Sequence, residues 1–331
     1  MASKRADLTL GGGCVPAVVC LGETMVMLAP PPSELIEYCQ HFTALLGGAE
    51  ANVAIGLERL GLHAGWIGKL PRNALGRKLV NETRSFGVDT SAVVWTDAGR
   101  VGLFFVEWGA SPRPITTIYD RANSAATTLT ADELDWDYIL QARWLHLTGI
   151  TPALSATCRA STHDIAARAR AGGVKVSFDV NYRSLLWTPE QARATLVEIL
   201  PLVDLLVATE ADATMLLGQS LPREEALRCL FDRYSFEAAV MTLGEEGSLA
   251  FDGERFYSSP GYAVHPVNRL GAGDAFAAGL LFGYLHSGLQ AGLDYGSAMA
   301  ALKMTVPQNI PLATRDDVER LLSQRESELV R

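Results

Sequence analysis

Gly271-Ala272-Gly273-Asp274, continued by Ala275-Phe276-Ala277-Ala278-Gly279-Leu280-Leu281-Phe282-Gly283-Tyr284-Leu285, is a turn of very small residues that opens into a long apolar helix. Gly271 and Gly273 carry no Cβ, so a bulky group can approach the main chain closely. The first N–H groups of a helix lack intrahelical acceptors, and the helix dipole favours an anion there. Asp274 adds a carboxylate at the mouth of this anion site. Its chemical use is to take a proton from a hydroxyl while the amides hold a phosphate in transfer. The alternative is a plain tight turn with Asp274 capping the helix.

The chain around this stretch has 331 residues, enough for one large domain or two small ones. An apolar fraction of 48% provides a proper core. The net charge of −9 and the absence of a Lys/Arg stripe argue against a nucleic-acid binder. The five cysteines, Cys14, Cys20, Cys39, Cys158 and Cys229, form no C-x-x-C pair and read as reduced thiols of a cytoplasmic protein. The six histidines are scattered, so no structural zinc site is expected. No apolar run reaches membrane length, and the charged residues 1–13 lack an export signal's apolar core.

A second glycine corner lies early, at Gly47-Gly48-Ala49-Glu50-Ala51-Asn52-Val53-Ala54, running into a helix closed by Gly61. The Asn52 amide suits a polyol, donating to and accepting from it, or else satisfies the backbone of a cap. Residues 16–21 and 66–68 read as strands and 75–86 as a helix. Residues 23–28, 38–46, 101–108 and 115–119 read as extended pieces of a small separate sheet, with 101–108 an antiparallel strand and Ser111-Pro112-Arg113-Pro114 a turn. From residue 132 the rhythm is strand, helix, strand: strands at 144–147, 174–180, 205–208 and 238–242, helices at 155–171, 189–200 and 210–217. Such alternation implies a parallel sheet covered by helices on both faces, with ligands at the carboxyl ends of the strands. Asp179, Asn181, Arg183, Thr209, Thr242 and Gly244 fall at such ends. Residues 316–330 read as a charged amphipathic helix.

No G-x-x-x-x-G-K-[ST] is present, Phe276 stands where a dinucleotide fingerprint needs its third glycine, and no G-x-S-x-G occurs. The two glycine corners, with the polar turn Thr242-Leu243-Gly244-Glu245-Glu246-Gly247, carry a different likeness. The chain resembles the ribokinase-like (PfkB) carbohydrate kinases from Val18 to about Val318. Gly47-Gly48-Ala49-x-x-Asn52-Val53-Ala54 with Leu60-Gly61 is similar to that family's early signature. Asn268-Arg269-Leu270-Gly271-Ala272-Gly273-Asp274-Ala275-Phe276 is similar to its late one. Within the family, Leu145-His146-Leu147-Thr148-Gly149, Phe178-Asp179-Val180-Asn181-Tyr182-Arg183 and Ala301-Leu302-Lys303-Met304-Thr305 resemble 2-keto-3-deoxygluconate kinases.

The resemblance implies an α/β, ribokinase-like fold: a central, mostly parallel sheet flanked by helices, and a small β-sheet lid from about 23–46 and 100–121. A single domain would span 14–318, with a helix at 319–331. It implies ATP-dependent phosphorylation of the terminal hydroxyl of a sugar acid, most simply 2-keto-3-deoxygluconate. Fructose, ribose and 5-dehydro-2-deoxygluconate are alternatives, as is a non-catalytic relative. Asp274 would be the base, and the amides of Gly271, Ala272 and Gly273 the anion hole. Gly47, Gly48, Asn52, Phe104, Tyr119, Arg121 and Arg183 would line the sugar pocket, Tyr119 and Arg121 gripping the acid end. Otherwise Arg183 pairs with Asp179, and Tyr119 and Arg121 are ordinary hairpin residues. Thr209, Thr242, Gly244 and Gly247, with Gly271 and Gly273, would line the nucleotide side. Mg²⁺ is implied, with Asp212 helping to hold it through water. The family likeness also allows a monovalent cation such as K⁺, and a homo-oligomer, a dimer through the lid sheet. Three departures stand out: Asn268 for a leading Asp, Thr209-x-x-Asp212 for N-x-x-E, and Phe104 for a Tyr.

Overall fold

The strand Val18–Leu21 (β1) is a four-residue apolar run buried along its whole length, as expected of a central strand covered on both faces. The computed structural model to which it belongs describes residues 15–32, 34–109 and 112–329. Residues 1–13, Cys14, Ser111 of the expected turn and Val330 lie outside them.

Along the chain follow β2 (Met25–Ala29), β3 (Thr43–Gly47), β4 (Ala64–Ile67), β5 (Lys69–Pro71) and β6 (Val94–Thr96). Then come β7 (Leu103–Glu107), β8 (Thr116–Asp120), β9 (Trp144–Thr148) and β10 (Lys175–Asp179). β11 (Leu205–Thr209), β12 (Ala238–Thr242), β13 (Gly247–Phe251) and β14 (Phe256–Pro260) close the series. The large sheet has the order β14-β13-β12-β11-β10-β9-β1-β4. Its pairs from β4 to β12 are parallel, and β12, β13 and β14 run antiparallel to one another. One apolar cluster packs helices Ala49–Arg59, Ala272–Ser287 and Leu289–Met304 against one face; a second packs Ala156–Ala171 and Pro189–Ile199 against the other.

The smaller sheet has the order β3-β2-β7-β8. β7 pairs antiparallel with β8, as expected of a hairpin, but parallel with β2, which local alternation does not reveal. Met25, Met27, Phe104 and Val106 form its own apolar cluster. The extended piece expected over 38–46 forms a strand only at Thr43–Gly47, and the C-terminal helix runs Arg315–Leu329, starting before 319. The β13–β14 hairpin and the helices Arg223–Tyr234 and Leu289–Met304 complete the chain.

The placement of the late helix follows from its glycines. A Cβ at Gly279 would lie 2.5 Å from the Tyr295 carbonyl, so helices Ala272–Ser287 and Leu289–Met304 touch backbone to backbone. No helix among the described residues is long and apolar enough to cross a membrane.

Candidate active site

Gly271 begins the late helix with φ +81°, and a Cβ there would stand 2.0 Å from the Asn309 carbonyl oxygen. Both the left-handed backbone and the close approach demand glycine. Gly273 differs: a Cβ there would meet nothing within 4 Å. Its N–H has no hydrogen-bond partner among the described residues, and neither has that of Asp274. The Ala272 N–H, expected in the anion hole, instead donates to the Arg269 carbonyl at 3.2 Å. Among the described residues, the open donors at the helix start are therefore those of Gly271, Gly273 and Asp274.

The bend is a wall between two cavities. On one side lies a cleft of about 850 Å³, lined by Ala272, Gly273, Thr209, Thr242, Gly244 and Gly247 among others. On the other lies a pocket of about 80 Å³, reached by Gly271, Asp274, Gly47, Gly48, Asn52, Phe104, Tyr119, Arg121 and Arg183. The expected sugar residues thus share the small pocket. The expected nucleotide residues share the large cleft, except Gly271, which faces the small one. Asp212 lines neither.

Asp274 is 7% exposed and accepts a 2.6 Å hydrogen bond from Asn52 Nδ2 at its Oδ2. Burial raises its pKa, while Asn52, the Arg183 guanidinium and the Lys303 ammonium pull it down. Burial is the larger effect, so the net direction is upward, and the three neighbours reduce the cost of ionising it. Asn52 Oδ1 is buried without a partner, an acceptor left over for a ligand hydroxyl. Arg183 is exposed, and its side chain makes no hydrogen bond or ion pair among the described residues, so its fork of donors is free. The Asp179 carboxylate hydrogen-bonds Asn181, and burial with the nearby Asp212 and Asp274 charges pushes it up to about 7.

Arg121 is bound otherwise than an exposed hairpin cation would be. It is 8% exposed, its Nε donates to Glu23 Oε2 at 2.9 Å, and its Nη2 donates to the same oxygen. Ser124 Oγ donates to Glu23 Oε1 at 2.7 Å. Glu23 links β1 to β2 and Arg121 follows β8, so this pair ties both roots of the small sheet to the body. Phe104 stacks on Tyr119, with ring centroids 5.6 Å apart, and fills the space a Gly47 side chain would need. A Cβ on Gly48 would strike the Glu23 carbonyl at 2.6 Å.

Sequence reasoning missed Glu23, Asn309 and residues 262–266 of the cleft wall. Asn309 Nδ2 donates to the Leu46 carbonyl, and its own carbonyl accepts from Asn52 Nδ2 at 3.3 Å. The available signal was a polar residue between Pro307 and Pro311, close after the late helices.

Metal chemistry can be tested against these donors. Asp212 closes a capping box: its Oδ2 accepts from Thr209 N and Oγ1, leaving Oδ1. No group of three or more His, Cys, Asp or Glu among the described residues is gathered for an ion. Mg²⁺ does not need one, since it keeps waters and takes one or two carboxylates plus substrate phosphates; Asp212 fits that use. A monovalent cation needs several free carbonyl oxygens. Near the bend, Asn268 O accepts from Lys303 Nζ, Pro307 O from Asn268 Nδ2, and Asn309 O from Asn52. Each of these three oxygens thus accepts one hydrogen bond and keeps a second lone pair.

Residues 15–314 match the family described as pfkB family carbohydrate kinase. A Haloferax volcanii 2-dehydro-3-deoxygalactonokinase is 41% identical over 307 residues, covering 92% of this chain and 96% of that protein. A Bacillus subtilis 2-dehydro-3-deoxygluconokinase is 35% identical over 316 residues, covering 92% and 95%. Among solved structures, the 2-dehydro-3-deoxygluconokinase of Thermotoga maritima superposes with a TM-score of 0.88 at 36% identity, covering 93% of this chain and 98% of that one. The large parallel sheet with its small second sheet is thus the ribokinase-like fold.

Proposed function

The chain belongs to the pfkB family of carbohydrate kinases, and from that premise we propose that it transfers the γ-phosphoryl group of ATP to the terminal hydroxyl of a 2-keto-3-deoxy sugar acid, 2-keto-3-deoxygluconate going to its 6-phosphate. One observation carries the reading. The bend at 271–274 puts a buried carboxylate on one cavity and Gly273, whose amide has no partner among the described residues, on the next.

The sugar acid takes the small pocket with its terminal hydroxyl at Asp274. Asn52 occupies one carboxylate oxygen and so orients the other toward that hydroxyl. Asp274 removes the proton as the oxygen attacks phosphorus. The Gly273 and Asp274 N–H groups, at the positive end of the helix, receive charge gathering on the transferred group. ATP lies in the large cleft along Thr242, Gly244 and Gly247. Asp212 would hold, through water, a Mg²⁺ ion that neutralises phosphate charge. Arg183, with no partner of its own, meets the substrate carboxylate or the phosphates. The small sheet closes over the site and excludes water that would otherwise hydrolyse ATP.

The galactonate epimer is a second reading, favoured by the 41% identity to the Haloferax enzyme. Phe104 offers no hydroxyl with which to read a sugar hydroxyl, so discrimination there stays within the range of roughly 10–200-fold that an apolar contact provides. Purified protein, ATP–Mg²⁺ and each acid in turn, with ADP release coupled to a reporter, decide between them. The gluconate reading expects the higher kcat/KM for that epimer; a higher value for galactonate replaces it, and turnover of neutral sugars alone sinks both. Asp274→Asn should lower kcat at least about 10²-fold with substrate KM little changed. Near-normal turnover would remove Asp274 from its role.

We also assign the protein to the cytoplasm, supported by the free thiols of Cys20, Cys39, Cys158 and Cys229. We assign it a dimer through the outer face of the small sheet, supported by Phe42, Phe105 and Ile118 gathered there.

A further inference from the structure

We propose that Lys303 is a positioning residue for the transfer step, a built-in cation beneath the 271–274 bend that holds the bend's backbone and favours the ionised form of Asp274. The inference deepens the kinase reading and rests on it for the word transfer, but its central claim concerns two side chains only.

Lys303 is 1% exposed, near the end of the Leu289–Met304 helix. A buried ammonium is costly unless paired, and the described residues give it no carboxylate within ion-pair distance. Its one hydrogen bond, at 2.9 Å, goes to the backbone carbonyl of Asn268. Asn268 is in turn stapled on both sides: Nδ2 donates to the Pro307 carbonyl at 2.7 Å and Oδ1 accepts from Leu270 N at 2.9 Å. Leu270 leads directly into the bend. The lysine stem lies against the bend itself, its Cε 3.5 Å from where a Gly271 Cβ would be. An amide at 268, in place of a carboxylate, leaves the Lys303 charge without a local counterion. Its field therefore falls on Asp274.

The charges around this pair come from several elements. Asp274 feels Arg183 as well as Lys303, and it repels Glu50 on the early helix and Asp179 at the end of β10. Lys303 shares a further cavity, of about 330 Å³, with Asp317 and Arg320 of the C-terminal helix. Burial lowers Lys303 to about 8, against a smaller raising effect from Asp274. The ammonium thus loses its proton at mildly alkaline pH, and its support of Asp274 with it.

The test removes the charge and keeps the length: Lys303→Met. First, the Asp274 side-chain carboxyl carbon is titrated by NMR in the free protein, without substrate. Loss of the cation should move its midpoint up by about one pH unit. An unmoved midpoint overturns the proposal whatever the enzyme does. Second, kcat is followed against pH. Wild type should lose activity above about pH 8, whereas Lys303→Met should show a kcat lowered about 10-fold or more, KM for ATP within about threefold, an acid limb moved to higher pH and no limb near 8. A variant whose profile superposes on wild type after scaling also overturns it. Should Lys303→Met not fold, the wild-type profile alone decides: activity flat to pH 10 rejects the proposal, and a fall near 8 with unchanged circular dichroism supports it. A moved NMR midpoint in a protein that phosphorylates no sugar acid would sink the kinase reading and leave the Lys303–Asp274 coupling standing.

Discussion

Glu50 is the residue whose ionisation costs the fold most visibly. It sits in the first turn of the early helix, 1% exposed, accepting from Thr148 Oγ1 at 2.6 Å, while its Oε2 is buried without a partner. Burial pushes its pKa from 4.5 to about 7, against the lowering by Thr148, with Asp274's charge adding to the rise. The folded state therefore holds a proton that the unfolded chain releases between these values. Stability from this group is full below pH 4.5 and is lost as pH rises to about 7, by up to about 3 kcal/mol. Glu50→Gln keeps the acceptor for Thr148 and removes the charge. It should raise Tm by a few degrees at pH 8 and barely change it at pH 4.5, as differential scanning calorimetry would read. An equal gain at both pH values would mean that the carboxylate is not the source. Asp274 and Asn52 show the same division between what a residue is and where it is. Their types were legible in the two glycine corners. The hydrogen bond that makes one orient the other joins positions 222 apart in sequence, and no local pattern encodes it.

At the scale of elements, the small sheet is held at its roots. Arg121 and Glu23 neutralise each other where β8 and the β1–β2 link meet the body, with Ser124 completing the carboxylate's hydrogen bonds. Arg121 lines the small pocket, where the family resemblance puts a grip for the acid end, and it is buried there. Its burial depends on a partner from another segment. Arg121→Met should cost about 3–5 kcal/mol, since it strands Glu23 in a buried site. The double variant Glu23→Gln/Arg121→Met should recover most of that loss. Urea unfolding of the three proteins checks this. If the double variant is as unstable as the single, the pair is not what anchors the sheet. The strands themselves were largely legible: alternation named β7 and β8, and apolar runs named β9 to β12. The parallel pairing of β2 with β7 was not, because parallel neighbours are brought together by packing rather than by a turn.

For the whole molecule, two apolar clusters sandwich the large sheet, and the small sheet stands over one end with its inner face on the pocket. Its outer face is different. Phe42 packs edge-on against Phe105 with centroids 5.5 Å apart, and Ile118, paired with Phe105 across β7 and β8, is 52% exposed. With a dimer through this face, Ile118→Asp should shift the mass measured by light scattering from two chains to one at micromolar concentration. It should also raise KM for the sugar acid, because the sheet closes the pocket. A wild-type protein already monomeric would remove the assignment.

Taken alone, the amino-acid sequence determined the class of the fold, the two glycine-to-helix corners and the residue proposed as the base. These follow from hydrophobic period, chain reversal and residue chemistry, all of them local properties. Tertiary structure alone decided that the late corner separates two cavities, that Ala272 turns its amide back to Arg269, that Glu23 pairs with Arg121, and that Lys303 lies under the bend with no carboxylate in ion-pair distance among the described residues. The reason is physical. Whether a charge is free, paired or shifted is set by desolvation and by neighbours from distant segments, and those arrive only when the core closes.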